Sequence, residues 1–119
     1  AFSVSLAVKD LKASVEFYAK LGFKSPGESG SEHYAILNNG DHIIGLFQDM
    51  FERNMLTFNP GWDQQCNHLD TFTDVRELQR SLRGQGVEIE VQADESGEGP
   101  ASFMITDPDG NPVFVDQHL

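Results

Sequence analysis

The chain opens on a strict alternation. Val4, Leu6 and Val8 fall on one side of an extended segment, with Ser3, Ser5 and Ala7 on the other. Period two with one apolar side predicts a strand that lays one face on a core. The period then lengthens. Asp10 stands where a helix N-cap belongs, Leu11, Val15, Phe17 and Tyr18 form an apolar stripe at helical spacing, and Gly22 follows as a stop. A strand near Phe23, a Pro-Gly-Ser loop from Pro26 to Ser31, and strands over His33–Leu37 and His42–Gln48 complete the segment. The sequence Asn38-Asn39-Gly40-Asp41 between the last two has the residues of a turn.

The second half runs through the same order. Leu69–Thr73 reads as a strand, Thr73 or Asp74 as a helix cap, and Val75, Leu78 and Leu82 as the apolar stripe that Gly84 and Gly86 end. Strands follow over Val87–Val91, Ser102–Ile105 and Val113–Gln117. The acidic, glycine-rich loop Asp94–Pro100 separates the first two, and the turn Asp107-Pro108-Asp109-Gly110 separates the last two. At an offset of 64 residues Asp10 meets Asp74, Leu11 meets Val75 and Gly22 meets Gly86. Two copies are too few for a solenoid. The pattern predicts an α+β domain over 1–119 made of two βαβββ modules, 1–49 and 66–119. A connector over 50–65 joins them and carries Met50, Phe51, Met55, Leu56, Phe58 and Trp62. A solvated loop seldom holds so much apolar surface, so the connector is expected to cover something, as a lid or at a dimer interface, with Trp62 buried.

Charge alters this picture by being uneven. The whole chain of 119 residues carries a net −11. Residues 1–59 hold seven acids and five bases, whereas 60–119 hold twelve acids and three bases. Those three, Arg76, Arg80 and Arg83, share one face of the second helix by their spacing. Such a surface repels phosphates and anionic lipid, so neither nucleic acid nor membrane is an expected partner, and a neutral or cationic ligand is preferred. Cys66 is the lone cysteine, which excludes an intrachain disulfide and a multi-cysteine zinc site. The absence of a signal-like opening or a long apolar run leads to the expectation of a cytoplasmic protein. There is no P-loop, dinucleotide fingerprint or nucleophile elbow.

The opening Asp10-Leu-x-x-Ser-x-x-Phe-Tyr-x-x-Leu-Gly spacing, Asp107-Pro-Asp-Gly-Asn before the last strand, and Phe58-Asn-Pro-Gly-Trp-Asp together resemble the glyoxalase/bleomycin-resistance/dioxygenase superfamily, also called vicinal oxygen chelate. They resemble in particular its glyoxalase-like members of unsettled activity. The resemblance implies that each βαβββ unit curls its mixed sheet into an open half-barrel around a cleft, with the helices outside. It also implies a divalent metal held by four His or Glu side chains and acting as a Lewis acid. Carried over one by one, the four ligand positions fall on Ser3, Gly45, Asn67 and Phe114. None supplies the imidazole, thiolate or carboxylate that zinc, nickel or iron requires. No metal or other cofactor is therefore expected. A metal enters only through a displaced site built from His68, Asp116 and His118, which are the candidate catalytic residues for that reading.

With those positions as a guide, strand parity points Ser3, Ser5, Ile43, Gly45, Phe47, Asn67, Leu69, Thr71, Phe114 and Asp116 toward the cleft. The expected ligand-binding residues are Ser3, Ser5, Phe47, Asn67, Thr71, Phe114, Asp116 and Trp62. The same side chains, with Gly45 making room for Phe47 and Phe114, would equally fill the cleft as core. His33, His42 and Cys66 carry no specific signal. Three functions follow. One is metal-free binding of a small neutral or cationic molecule, as in proteins that sequester bleomycin-type antibiotics. The second is a lyase, isomerase or dioxygenase with a rearranged site. The third is a non-catalytic module whose aromatic connector makes a homodimer.

Overall fold

The Asp10 carboxylate accepts a hydrogen bond of 3.1 Å from the Ala13 N–H, and helix α1 runs from there over Leu11–Ala19. This computed structural model describes residues 1–25 and 32–119; the Pro26–Ser31 loop expectation lies outside the described residues. Two compact units make up the chain: Ser3–Met55, and Leu56–Leu119 with Ala1 and Phe2. Among the described residues they hold six strands and two helices, a mixed α+β architecture.

In the first unit, β1 (Phe2–Val8) pairs in parallel with β3 (His42–Gln48), which pairs antiparallel with β2 (Tyr34–Asn39). The strand expected near Phe23 is reduced to a single bridge between Lys24 and Asn38. Gly40 makes the β2–β3 turn, at φ +61, and Asn39 faces His42 across it. Glycine reaches that conformation without the Cβ clash other residues meet. The turn fixes the whole register and sets Leu37, Ile44, Leu46 and Leu6 on one face. Leu37 and Leu46 are fully buried there, which is worth about 1.5–3 kcal/mol for each aliphatic side chain. Helix α1 packs on β2 and β3 but buries none of its residues, and Phe17, expected in its apolar stripe, is 56% exposed.

The second unit departs further from the expected elements. Its first strand, β4, is Met55–Phe58, inside the segment read as a connector. No strand forms over 69–73. Strand β4 pairs in parallel with β6 (Pro112–Gln117), and β6 pairs antiparallel with β5 (Ala101–Thr106). The segment expected as a strand over 87–91 makes one bridge, Val91 to Met104. Helix α2 (Val75–Gly84) packs on β5 and β6. Beneath it lies a core cluster of Val75, Ile89, Ala93, Phe103 and Val115.

Three polar side chains hold α2 in place. The Gln79 amide is fully buried and bonds the Ala93 backbone both ways, accepting from N–H at 2.7 Å and donating to C=O at 3.2 Å. Arg76, only 6% exposed, donates to the carbonyls of Asp94 (2.8 Å) and Gly99 (3.1 Å) and to the Asp74 carboxylate (3.2 Å). Gln117 accepts from Val75 N–H at 2.8 Å and donates to Asp74 at 3.1 Å. Buried polar atoms are tolerated because each finds a partner. The three arginines do share one side of the helix, as their spacing predicts. Arg80 and Arg83 both pair with Glu95 at 3.4 and 3.2 Å, so the basic face is spent on the chain's own acidic loop.

Candidate functional site

Register decides which side chains share a sheet face. In the first unit Ser5 is the partner of Gly45, Gly45 of Ile36, and Phe47 of Tyr34. Alternation therefore puts Ser3, Ser5, Ile43, Gly45, Phe47, Ile36 and Tyr34 on the face turned away from Leu37 and Leu46. There Phe47 stacks on Tyr34, with ring centroids 5.9 Å apart and planes 19° from parallel, and touches Phe51 at 5.1 Å. A Cβ on Gly45 would lie 2.5 Å from the Phe47 ring. The missing side chain at 45 is thus the space in which the aromatic ring rests. Ser5 is buried on this face.

In the second unit the face turned away from α2 carries Thr57, Ser102, Met104, Phe114 and Asp116, as the pairs Thr57–Phe114, Met104–Phe114 and Ser102–Asp116 require. Asp116 Oδ2 lies 2.9 Å from His118 Nε2. Trp62, half-buried, packs its indole on the His118 ring at 4.9 Å and stacks on the His68 ring at 5.8 Å and 9°. The candidates Asp116 and His118 therefore meet, while His68 reaches the same indole through a bridge between Trp62 and His68.

Asn67 and Thr71 need a correction. The parity that gave them a cleft-facing side assumes a strand over 69–73, and that segment is not one. Both are exposed. Asn67 instead closes a turn with Asp63, whose carboxylate accepts from Asn67 N–H at 2.9 Å and whose N–H donates to Asn67 C=O at 3.0 Å. The Asn67 bond, chiefly, holds the Asp63 pKa below its ordinary value. Leu69, also placed in the cleft by parity, lines a cavity on the α2 side of the sheet.

The four positions at which the resemblance puts a metal do not fit one. Gly45 has no side chain and an aromatic ring over it, Phe114 is apolar, Asn67 is tied to Asp63, and Ser3 offers a hydroxyl. No three His, Cys, Asp or Glu side chains come together in a metal-holding group among the described residues.

Sequence reasoning missed Tyr34 and Phe51 as neighbours of Phe47. The signal for Tyr34 was available: a two-residue turn at Gly40–Asp41 pairs 39 with 42, and counting back pairs 34 with 47. Thr57 was hidden by the misplaced strand, whereas Met104 was open to the same counting, since the Asp107–Gly110 turn pairs 106 with 112 and so 104 with 114.

The family model described as Glyoxalase/Bleomycin resistance protein/Dioxygenase superfamily matches residues 2–115. Three solved structures share the fold. A Legionella pneumophila protein described as NAD-dependent benzaldehyde dehydrogenase has a TM-score of 0.72 at 18% identity, covering 100% of both chains. A glyoxalase/bleomycin resistance protein/dioxygenase superfamily member from Vibrio splendidus gives 0.64 at 15% identity, over 98% of this chain and 97% of that one. A methylmalonyl-CoA epimerase in complex with methylmalonyl-CoA gives 0.61 at 19% identity, over 98% and 92%. No curated protein matches the chain. No helix among the described residues is long and apolar enough to cross a membrane.

Proposed function

Because the chain belongs to the Glyoxalase/Bleomycin resistance protein/Dioxygenase superfamily, we propose that it uses the family's sheet to bind a small planar molecule, neutral or cationic, without a metal ion. One observation carries this reading: the Phe47 ring lies over Gly45, in contact with Tyr34 and Phe51. Three aromatic rings beside buried Ser5 form a platform for a flat ligand, and aromatic faces attract cations. The net charge of −11 favours the same class of ligand. The exposed, free Cys66 thiol suits a reducing compartment, in keeping with a cytoplasmic location.

Titration with a planar cationic dye such as berberine tests the reading. Phe47→Ala is expected to weaken binding at least tenfold while the folded far-ultraviolet spectrum is kept. Binding unchanged by Phe47→Ala, or no saturable binding by any flat cation, sinks it. Stoichiometric zinc, nickel, manganese or iron in the purified protein sinks its metal-free part.

A second reading draws on the Asp116–His118 contact of 2.9 Å. A carboxylate that orients an imidazole is the arrangement of a general acid–base pair, and it would serve an isomerase or lyase. Turnover of a carbonyl substrate that Asp116→Asn abolishes, without loss of dye binding, would favour this enzyme over a binding protein.

A further inference from the structure

The tip of the β2–β3 hairpin carries chemistry of its own. An asparagine becomes a carboxylate when the backbone nitrogen of the next residue attacks its side-chain Cγ. That nitrogen must carry a hydrogen and must not be crowded. The chain has six asparagines. Asn59 and Asn111 precede proline, whose nitrogen has no hydrogen. Asn38, Asn54 and Asn67 precede Asn39, Met55 and His68, each with a Cβ beside the attacking nitrogen. Asn39 alone precedes glycine.

The fold leaves this pair open and gives it something to lose. Asn39 and Gly40 are exposed. Among the described residues, nothing beyond its chain neighbours lies within 4 Å of the place a Cβ would take on Gly40. Asn39 is the last residue of β2 and pairs with His42 across the turn. Pairs at the end of an element open first, and that opening lets the Gly40 nitrogen swing onto Cγ. Alternation puts Asn39 on the face of Leu37, the side on which α1 packs. Its Nδ2 donates to the Leu21 C=O at 3.3 Å, just past the end of α1. The same atom lies 2.9 Å from the place of a Cβ on Gly22, at φ +98, so only glycine lets the amide come this close. Helix α1 buries none of its residues, and side-chain bonds of this kind hold its two ends: Gln48 at Leu11 N–H, Asn39 at Leu21 C=O. A carboxylate at 39 has no hydrogen to give. It would face a carbonyl oxygen at the negative end of the helix dipole.

We propose that Asn39 is a modification site, at which deamidation frees the end of α1 from the β2–β3 hairpin. A bond forms between the Gly40 nitrogen and Asn39 Cγ, and the Cγ–Nδ2 bond breaks. The Gly40 proton leaves with Nδ2 as ammonia. One water then opens the cyclic succinimide at either carbonyl, giving aspartate or isoaspartate. Water is the sole co-reactant, and nothing is oxidised or reduced.

The full chain, aged at mildly alkaline pH and digested with trypsin, tests this by mass spectrometry. Peptide 25–53, which holds Asn38 and Asn39, should gain the deamidation mass at least tenfold faster than any other peptide. Fragment spectra should assign the change to Asn39, and isoaspartyl methyltransferase should label the product. Gly40→Ala should slow the reaction at least fivefold, and Asn39→Gln, which keeps the glycine turn, should abolish it. Asn39→Asp stands for the product. Its amide hydrogens over 17–22 should exchange at least threefold faster than in the fresh protein, and the aged protein should match it. The proposal is overturned if another asparagine reacts first or if peptide 25–53 of Asn39→Gln still gains the mass. It is also overturned if Asn39→Asp and the aged protein exchange over 17–22 as the fresh protein does, since the amide would then hold nothing.

Discussion

The two units seat their helices on the sheet differently. In Ser3–Met55 the face away from the helix is occupied by rings, with Phe47 lying over Gly45, while α1 buries none of its residues. In Leu56–Leu119 the helix is anchored by three buried polar side chains, yet a cavity remains between it and the sheet. One order of elements thus supports two packing solutions. A helix held by hydrogen bonds need not close on the sheet with apolar side chains. A helix with fewer such anchors, as α1 with the Gln48 side chain accepting from Leu11 N–H at 2.7 Å, sits as a thin cover over aliphatic strands.

The largest test of this contrast is in the core. Phe103 is fully buried in the cluster under α2, and Phe103→Ala is expected to cost about 3–5 kcal/mol in urea denaturation. A loss under about 1 kcal/mol would mean the cluster does not carry the second unit. Next comes the anchor itself. Arg76→Ala removes bonds to the Asp94 and Gly99 carbonyls and to Asp74 and should cost about 2–3 kcal/mol, since hydrogen bonds to charged groups are the stronger kind. Arg76→Lys keeps the charge but not the planar fork, and should recover less than half of that loss.

Gly45→Ala attacks the other unit. Its new methyl would stand 2.5 Å from the Phe47 ring, which Tyr34 and Phe51 flank, so about 1–2 kcal/mol should be lost through overpacking. A neutral outcome in thermal melts would show that the ring moves freely.

A smaller effect is expected from acid. Burial pushes the Asp74 pKa up, but the Arg76 N–H, the Gln117 amide and the Arg76 guanidinium outweigh it and hold the carboxyl below its ordinary value of 3.8. A depressed carboxyl stabilises the fold above its unfolded pKa and ceases to do so as pH falls through the folded one. Wild-type melting temperature should therefore drop from about pH 4 downward, and Asp74→Asn should flatten part of that drop. Equal slopes would place the acid sensitivity elsewhere. The smallest change is at Phe17, 56% exposed on α1. Phe17→Ser should shift stability by no more than about 0.5 kcal/mol.

What could be read along the chain was local. Asp10 and Asp74 cap the two helices, and Gly40 and the Asp107–Gly110 turn join the hairpins, because each needs only its near neighbours. The strand over 69–73 was misread for a physical reason. Leu69, Thr71 and Thr73 alternate as a strand would, but Met55–Phe58 already fills the place beside β6, leaving that segment no ladder. Alternation gives a face only to a segment that is paired.

The sequence by itself determined the family, the duplicated order of elements, the sign of the charge and the absence of metal-ligating side chains at Gly45 and Phe114. These follow from residue identity and short spacings. Only the tertiary structure decided that Arg76 is a buried anchor, that Tyr34 and Phe51 flank Phe47, and that Trp62 meets His118. Those facts depend on registers and helix seats that bring residues distant in sequence within bonding range, and no local pattern encodes them.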